Sequence, residues 1–301
     1  MAKFSATLVC AALILMTFFN FMLWTKTSDA KKSRMSKLLL EKQAEDQRNQ
    51  VAAKAELALF EKMKAYSIQQ VPVRKQVLRG VLNKTIGGKM YADLYETLAA
   101  EVECPEKIRV GTMGDGGKWT CNPWKVPRDS VMLSFGLRDF IGFEIDWQKM
   151  LSNRSIIYGF DAKEQASATK KKFSRIRGQS NKALVSPKTN IENGEFTMTD
   201  LAKALKVKDV EILKIDIEGA EKNCLIPFLE VYPVCQMYVE MHGESQEHAK
   251  LLQKIAHLKY RLFSYEVNGD TMTACEYSFI REDCIDKYGG KRIANYLDFK
   301  N

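Results

Sequence analysis

From residue 130 onward, the chain alternates short apolar runs with stretches whose apolar residues recur every three or four positions. The runs at 130–135, 156–160, 182–186, 210–215, 235–241, 260–267 and 275–281 read as strands. The segments 143–151, 163–174, 198–206, 219–230 and 245–257 read as amphipathic helices. Such alternation predicts an α/β fold: a seven-stranded, mostly parallel sheet with helices on both faces. The last two runs have no helix between them and predict an antiparallel hairpin at one edge. Upstream, residues 31–68 hold no Gly and no Pro, and Leu38, Leu39, Leu40, Ala44, Val51, Ala55, Leu59 and Met63 recur at roughly helical spacing. This predicts a helical stem, a candidate surface for oligomerisation, with a seam too irregular for a heptad repeat. Val71-Pro72-Val73 is expected to interrupt it. A further helix is expected over 88–102, and the Gly- and Trp-rich stretch VGTMGDGGKWTCNPWKVP (110–127) reads as a loop.

Residues 8–24, LVCAALILMTFFNFMLW, contain no charge, and seventeen residues is the short limit for a membrane span. Two readings compete: an uncleaved signal-anchor, and a signal peptide cleaved after Ser28-Asp29-Ala30. The anchor reading divides the chain into a membrane segment (1–25), a stem (26–75) and a catalytic domain (76–301). Lys26, Lys31, Lys32, Arg34 and Lys37 follow the apolar run, and the positive-inside rule alone leaves the remainder in the cytosol. Six cysteines (104, 121, 224, 235, 275, 284) and two sequons, at Asn83 and Asn153, argue instead for an oxidising compartment. The expectation is a type II membrane protein of the Golgi or ER lumen, with secretion after cleavage as the alternative. Local pairing of the cysteines (104–121, 224–235, 275–284) is the simplest of fifteen arrangements.

The composition, 46% hydrophobic and 28% charged, is that of a globular protein. The net charge of +9 comes without a zinc-finger or RNA-recognition signature, so no nucleic-acid partner is expected. No C-x-x-C pair occurs, and no metal is assigned.

Candidate chemistry gathers at strand ends, where open α/β sheets bind ligands. In VMLSFGLRDFIGFEIDW (131–147), a strand ends at Ser134-Phe135-Gly136 and a helix begins near Phe143. A glycine there allows close backbone approach, and a helix N-terminus offers free N–H groups. In IIYGFDA (156–162), Asp161 ends the next strand, 25 residues after Gly136, the position of a ribose-hydroxyl acceptor in nucleotide-binding folds; a helix N-cap is the competing role. In ILKIDIEGAEKNCL (212–225), Asp216 and Glu218 follow a buried strand, and Glu221 falls in the first turn of a helix. In CQMYVEMHGE (235–244), Glu240 and His242 alternate with Met241 and so point to one side. Asp216, Glu240 and His242 are the candidate bases, in that order.

LKIDIEGAEKNCL resembles the L-K-I-D-x-E-G-A-E signature of the FkbM-type methyltransferases. DGGKWTCNP (115–123) and LSFGLRDFIGFEIDW (133–147) resemble the animal, methyltransferase-like branch of that family. The similarity runs from about residue 100 to 285. It implies a Rossmann-like fold using S-adenosylmethionine. By this resemblance Gly136 marks the methionine-side loop, Asp161 the ribose acid and Asp216 the acid after the fourth strand. The cofactor set is Ser134, Phe135, Gly136, Asp139, Asp161, Ala162 and Asp216. Ser134-Phe135-Gly136-Leu137 stands where the family has a fuller acid-x-Gly-x-x-x-Gly pattern. The function expected is methyl transfer to oxygen, with a glycan or secreted-protein acceptor inferred from topology. The alternatives are a tethered binding module that has lost the cofactor, and a Mn²⁺- or Mg²⁺-dependent glycosyltransferase using Asp216 and Glu218.

Overall fold

The computed structural model describes residues 3–84 and 90–300; the side chains of 3–14 and 27–30 are outside that description, and with them Ser28 and Ala30 of the expected cleavage site. Thr85 of the first sequon is also outside it. The chain forms two compact units, Met1–Met63 and Lys64–Asn301.

The first unit is helical, part of α1 (Lys3–Leu82). No helix among the described residues is long and apolar enough to cross a membrane. This overturns the expected span at 8–24. The side chains of residues 8–14 in that run lie outside the described residues, and charged residues follow Trp24. The expected localisation, as a single-pass type II membrane protein of the Golgi or ER, is not supported. Pro72 does not interrupt α1 either. It sits on an exposed side of the helix, where the carbonyl it leaves unpaired is open to water.

In the second unit, the end of α1 buries Leu78 and Val81, and α2 (Met90–Thr97) buries Leu94. The Gly- and Trp-rich stretch is more ordered than the expected loop. Ile108–Val110 and Lys118–Thr120 pair antiparallel, and Cys104 is bonded to Cys121.

The sheet then forms from β1 (Val131–Phe135), followed by α3 (Gly142–Met150), β2 (Ile156–Asp161), α4 (Ser167–Arg175) and β3 (Gly178–Lys182). After α5 (Met198–Ala204) come β4 (Ile212–Ile215), α6 (Glu221–Val231), β5 (Gln236–His242), α7 (Ser245–His257), β6 (Tyr260–Val267) and β7 (Ala274–Arg281). The seven strands lie in the order β3-β2-β1-β4-β5-β7-β6. The first five are mutually parallel, and β7 runs antiparallel to both neighbours. The expected hairpin is therefore present, with β7 slotted inside β6. The order reverses between β1 and β4, which places a crevice at the carboxyl ends of those two strands.

Side-chain alternation feeds two apolar layers. Leu133, Phe135, Leu213 and Ile215 face one, with Leu225 and Phe228 of α6. Met132 and Ile212 face the other, with Trp147 of α3. Lys214 shares the face of Ile212 and is buried there.

Three sequence expectations need correction. The third strand is Gly178–Lys182, not 182–186, because it is a polar edge strand whose sequence, GQSNK, carries no apolar signal. Cys235 pairs with Cys284, and Cys224 and Cys275 are free and buried. Gln236 faces Ile280 across the β5–β7 ladder, which brings Cys235 to the end of β7 beside Cys284. Cys275 pairs with Met241 at the opposite end, about 20 Å of strand away.

Candidate active site

The glycine turn after β1 is built from backbone contacts. Gly136 has φ +83°, and a Cβ there would lie 1.7 Å from the Asp216 carbonyl oxygen. The glycine is thus dictated by the close passage of the β1 and β4 ends past each other, not by the approach of a ligand. Gly136 N donates to Phe160 O across 2.9 Å, and its carbonyl oxygen accepts from Lys214 Nζ across 2.9 Å. Beneath the turn, Ser134 Oγ donates to Glu144 Oε1 at 2.5 Å, and Lys214 Nζ stands 3.7 Å from the same oxygen. Sequence reasoning missed Lys214 and Glu144. The signal available was a lysine in the middle of a buried apolar strand, which needs a partner.

Asp161, at the end of β2, fixes the loop after the turn. Its Oδ2 accepts from Arg138 N at 2.6 Å and its Oδ1 from Lys163 N at 2.8 Å. Arg138 and Asp139 both take positive φ, and Asp139 Oδ1 accepts from Ala166 N just before α4. The Asp161 oxygens thus bond loop N–H groups and not the first turn of α4, whose N-cap is Ala166.

Gly136, Asp161, Ala162 and Asp216 line one cleft of about 390 Å³, together with Leu184 and Glu218. Three members of the expected cofactor set are elsewhere. Ser134 is buried under the turn. Phe135 stacks on Phe160 in the core, ring centroids 4.8 Å apart. The Asp139 carboxylate is spent on the start of α4. Arg138 Nη1 and Glu218 Oε1 meet at 3.0 Å, both largely exposed.

Asp216 continues into a second constellation. One donor atom each from Asp216, Glu221 and His242 lies within 4.8 Å of the others. Glu221, in the first turn of α6, is buried, and its Oε1 accepts from Ile217 N at 2.7 Å. His242 Nδ1 stands 3.5 Å from Glu221 Oε1, and its Nε2 lies 3.8 Å from Glu240 and 3.9 Å from Glu218. The hydrogen-bonding pull of Glu221, with Glu240 and Asp216 adding to it, outweighs burial and pushes the ring up to about 9. That surrounding favours the charged ring, which makes His242 a poorer candidate base than the sequence suggested. Burial raises Asp216 above the ordinary aspartate range, which makes it the better proton acceptor.

Glu240 is buried further down β5 and outside the wall of the cleft. Burial would raise it, but Lys118 holds it below the ordinary glutamate range. Lys118 is fully buried, bonded to Glu276 and 3.8 Å from Glu240. Burial pushes Glu276 up to about 8. A second cleft of about 360 Å³ lies beside this cluster, lined by Arg109, Asp115, Glu266, Asp270 and Glu276 among others.

This is a doubly wound α/β architecture with its crevice at the strand-order reversal. The family model for a methyltransferase domain matches residues 56–281, more than half the chain, and the chain belongs to that family. No curated protein matches the chain significantly in sequence. Among solved structures, it is similar to Aeropyrum pernix fibrillarin with natively bound S-adenosyl-L-methionine, at 8% identity and TM-score 0.39, covering 59% of this chain and 84% of that one. Methanococcus jannaschii fibrillarin, a pre-rRNA processing protein, gives 11% identity and TM-score 0.37 over 59% and 83%. M. capricolum TrmK in complex with S-adenosyl-homocysteine gives 11% and 0.35 over 53% and 66%. Scores this low carry nothing further about the site.

Proposed function

We propose that the protein is an S-adenosylmethionine-dependent methyltransferase that methylates an oxygen acceptor. The observation that carries this is the convergence of Gly136, Asp161 and Asp216 on one cleft, in a chain of the methyltransferase-domain family. The residues present suit the cofactor. The cleft has a volume in the range of small-molecule sites. Asp161 is an acceptor-only carboxylate whose two oxygens each keep a lone pair beyond their backbone bonds, enough for a ribose diol. Leu184, half-exposed in the wall of the cleft, and Ala162 offer apolar surface to a flat base.

When bound, the cofactor supplies a methyl group already activated on a sulfonium. The chain's own residues then mainly align the partners. Asp161 would hold the ribose hydroxyls, and Lys214 clamps the turn at Gly136 in the same cleft. Asp216 would take the proton of the acceptor oxygen that gains the methyl group. His242, whose Nδ1 stands 3.5 Å from Glu221 Oε1, helps to hold Glu221 in place. Within methyltransferases, the stretch LKIDIEGAEKNCL supports an FkbM-type assignment.

The test is calorimetric titration of the full chain with S-adenosylhomocysteine, repeated for Asp161→Ala. Binding by the native chain that is lost in the variant supports the reading; no heat from either overturns it.

A further inference from the structure

We propose that Asp216, Glu221 and His242 form a binding site for a divalent transition-metal ion such as Mn²⁺, set to hold the acceptor oxygen. The existence of the site is independent of the methyl-donor reading; its role in the reaction rests on that reading.

The three side chains come from three different elements: the end of β4, the first turn of α6 and the end of β5. The fold, not a flexible loop, brings them together. One donor atom from each lies within 4.8 Å of the others. A first-row divalent ion, with bonds of about 2.1 Å, spaces its ligands roughly 3–4 Å apart. Small side-chain rotations close the difference.

One polar atom here has nothing else to do. Glu221 is 1% exposed, and its Oε2 has no hydrogen-bond partner among the described residues. His242 Nδ1 is buried beside it, with Glu221 Oε1 3.5 Å away. A buried carboxylate oxygen without a partner is costly, and a bound cation removes that cost. The neighbouring trio Asp115, Glu240 and Glu276 makes the contrast. Its donor atoms are as close together, but Lys118 Nζ is bonded to Glu276 and stands 3.8 Å from Glu240. There the protein supplies its own cation. Among the described residues, no lysine or arginine forms an ion pair with Asp216 or Glu221.

Two carboxylates and one imidazole suit Mn²⁺, Fe²⁺ or Zn²⁺ better than Ca²⁺, which takes oxygen alone. Three protein ligands leave coordination positions open. Of the three residues, only Asp216 lines the 390 Å³ cleft, so the open positions adjoin that cleft. An alcohol or phenol oxygen bound there loses its proton more easily, because the ion stabilises the alkoxide. One Asp216 oxygen bound to the ion leaves the other free to take that proton.

The experiment is titration of the full chain with Mn²⁺, followed by electron paramagnetic resonance, with S-adenosylhomocysteine binding measured on the same samples. One Mn²⁺ per chain is expected, with coupling to an imidazole nitrogen. His242→Gln should abolish the coupling, Glu221→Gln should weaken binding at least tenfold, and Asp115→Asn should leave it unchanged. No stoichiometric Mn²⁺ in the native chain, Mn²⁺ without nitrogen coupling, or binding indifferent to both substitutions overturns the site. The nitrogen coupling needs no substitution, so a variant that fails to fold does not spare the proposal. S-adenosylhomocysteine bound without Mn²⁺ sinks the metal site alone; Mn²⁺ bound without S-adenosylhomocysteine keeps the site and sinks its role in methyl transfer.

Discussion

Lys214 Nζ donates to the Gly136 carbonyl oxygen across 2.9 Å, tying the middle of one strand to the turn that ends its neighbour. Ser134 and Lys214 face each other in the β1–β4 register, and Glu144 joins them from α3. Lys214→Met removes the clamp and leaves the fully buried Glu144 without its cation. The expected loss is about 3–5 kcal/mol, by analogy with other buried pairs broken on one side. Urea unfolding measures it, and S-adenosylhomocysteine affinity should fall in whatever fraction remains folded.

Gly136→Ala tests the contact between the strand ends. The added methyl meets the Asp216 carbonyl oxygen at 1.7 Å, in a backbone conformation that side chains rarely adopt. The β1 and β4 ends must part. A loss of more than about 2 kcal/mol in thermal or urea unfolding is expected. A neutral outcome would show that the turn is pliable.

The pH dependence of stability should carry the mark of His248. Burial lowers this ring to about 4 from an ordinary 6.5, and its Nδ1 bonds the Tyr277 hydroxyl at 2.9 Å. Between those values the unfolded chain binds the proton and the folded chain does not, so stability rises with pH. The contribution is complete above about pH 6.5 and is lost as pH falls toward 4. His248→Gln should flatten the urea midpoint over that window.

Non-reducing peptide mapping should recover the Cys104–Cys121 and Cys235–Cys284 pairs. Cys224 and Cys275 should alkylate only after unfolding, because both are buried and burial pushes the Cys224 thiol up to about 11. Losing the Cys235–Cys284 bond, which spans 49 residues, should cost about 4 kcal/mol on the chain-entropy account.

Much of the fold was legible because buried strands such as Ile212–Ile215 and helices such as Ser245–His257 keep their apolar periodicity in the sequence. Gly178–Lys182 did not, since an edge strand draws its stability from backbone pairing with β2 and shows no apolar face. The apolar residues just beyond it, Ala183 to Val185, serve instead as a wall of the cleft. Strand ends disclosed Asp161 and Asp216. Glu221 was read as the start of a helix, and its pairing with His242 depends on the adjacency of β4 and β5, which no local pattern encodes. Cysteine pairing was illegible for the same reason: Cys235 and Cys284 are neighbours only through the β5–β7 ladder.

β6 runs in the same direction as β5 and ends at the rim where His242 lies, and β7 starts back from that rim. His242 sits opposite Ala274, and Gly243 N bonds Thr273 O, so the connection 268–273 stands beside the histidine. None of the residues that grip the nucleotide in the reading given above comes from that connection. Evolution, or an engineer, is therefore free to reshape it, exchanging one methyl recipient for another while the donor's berth stays intact.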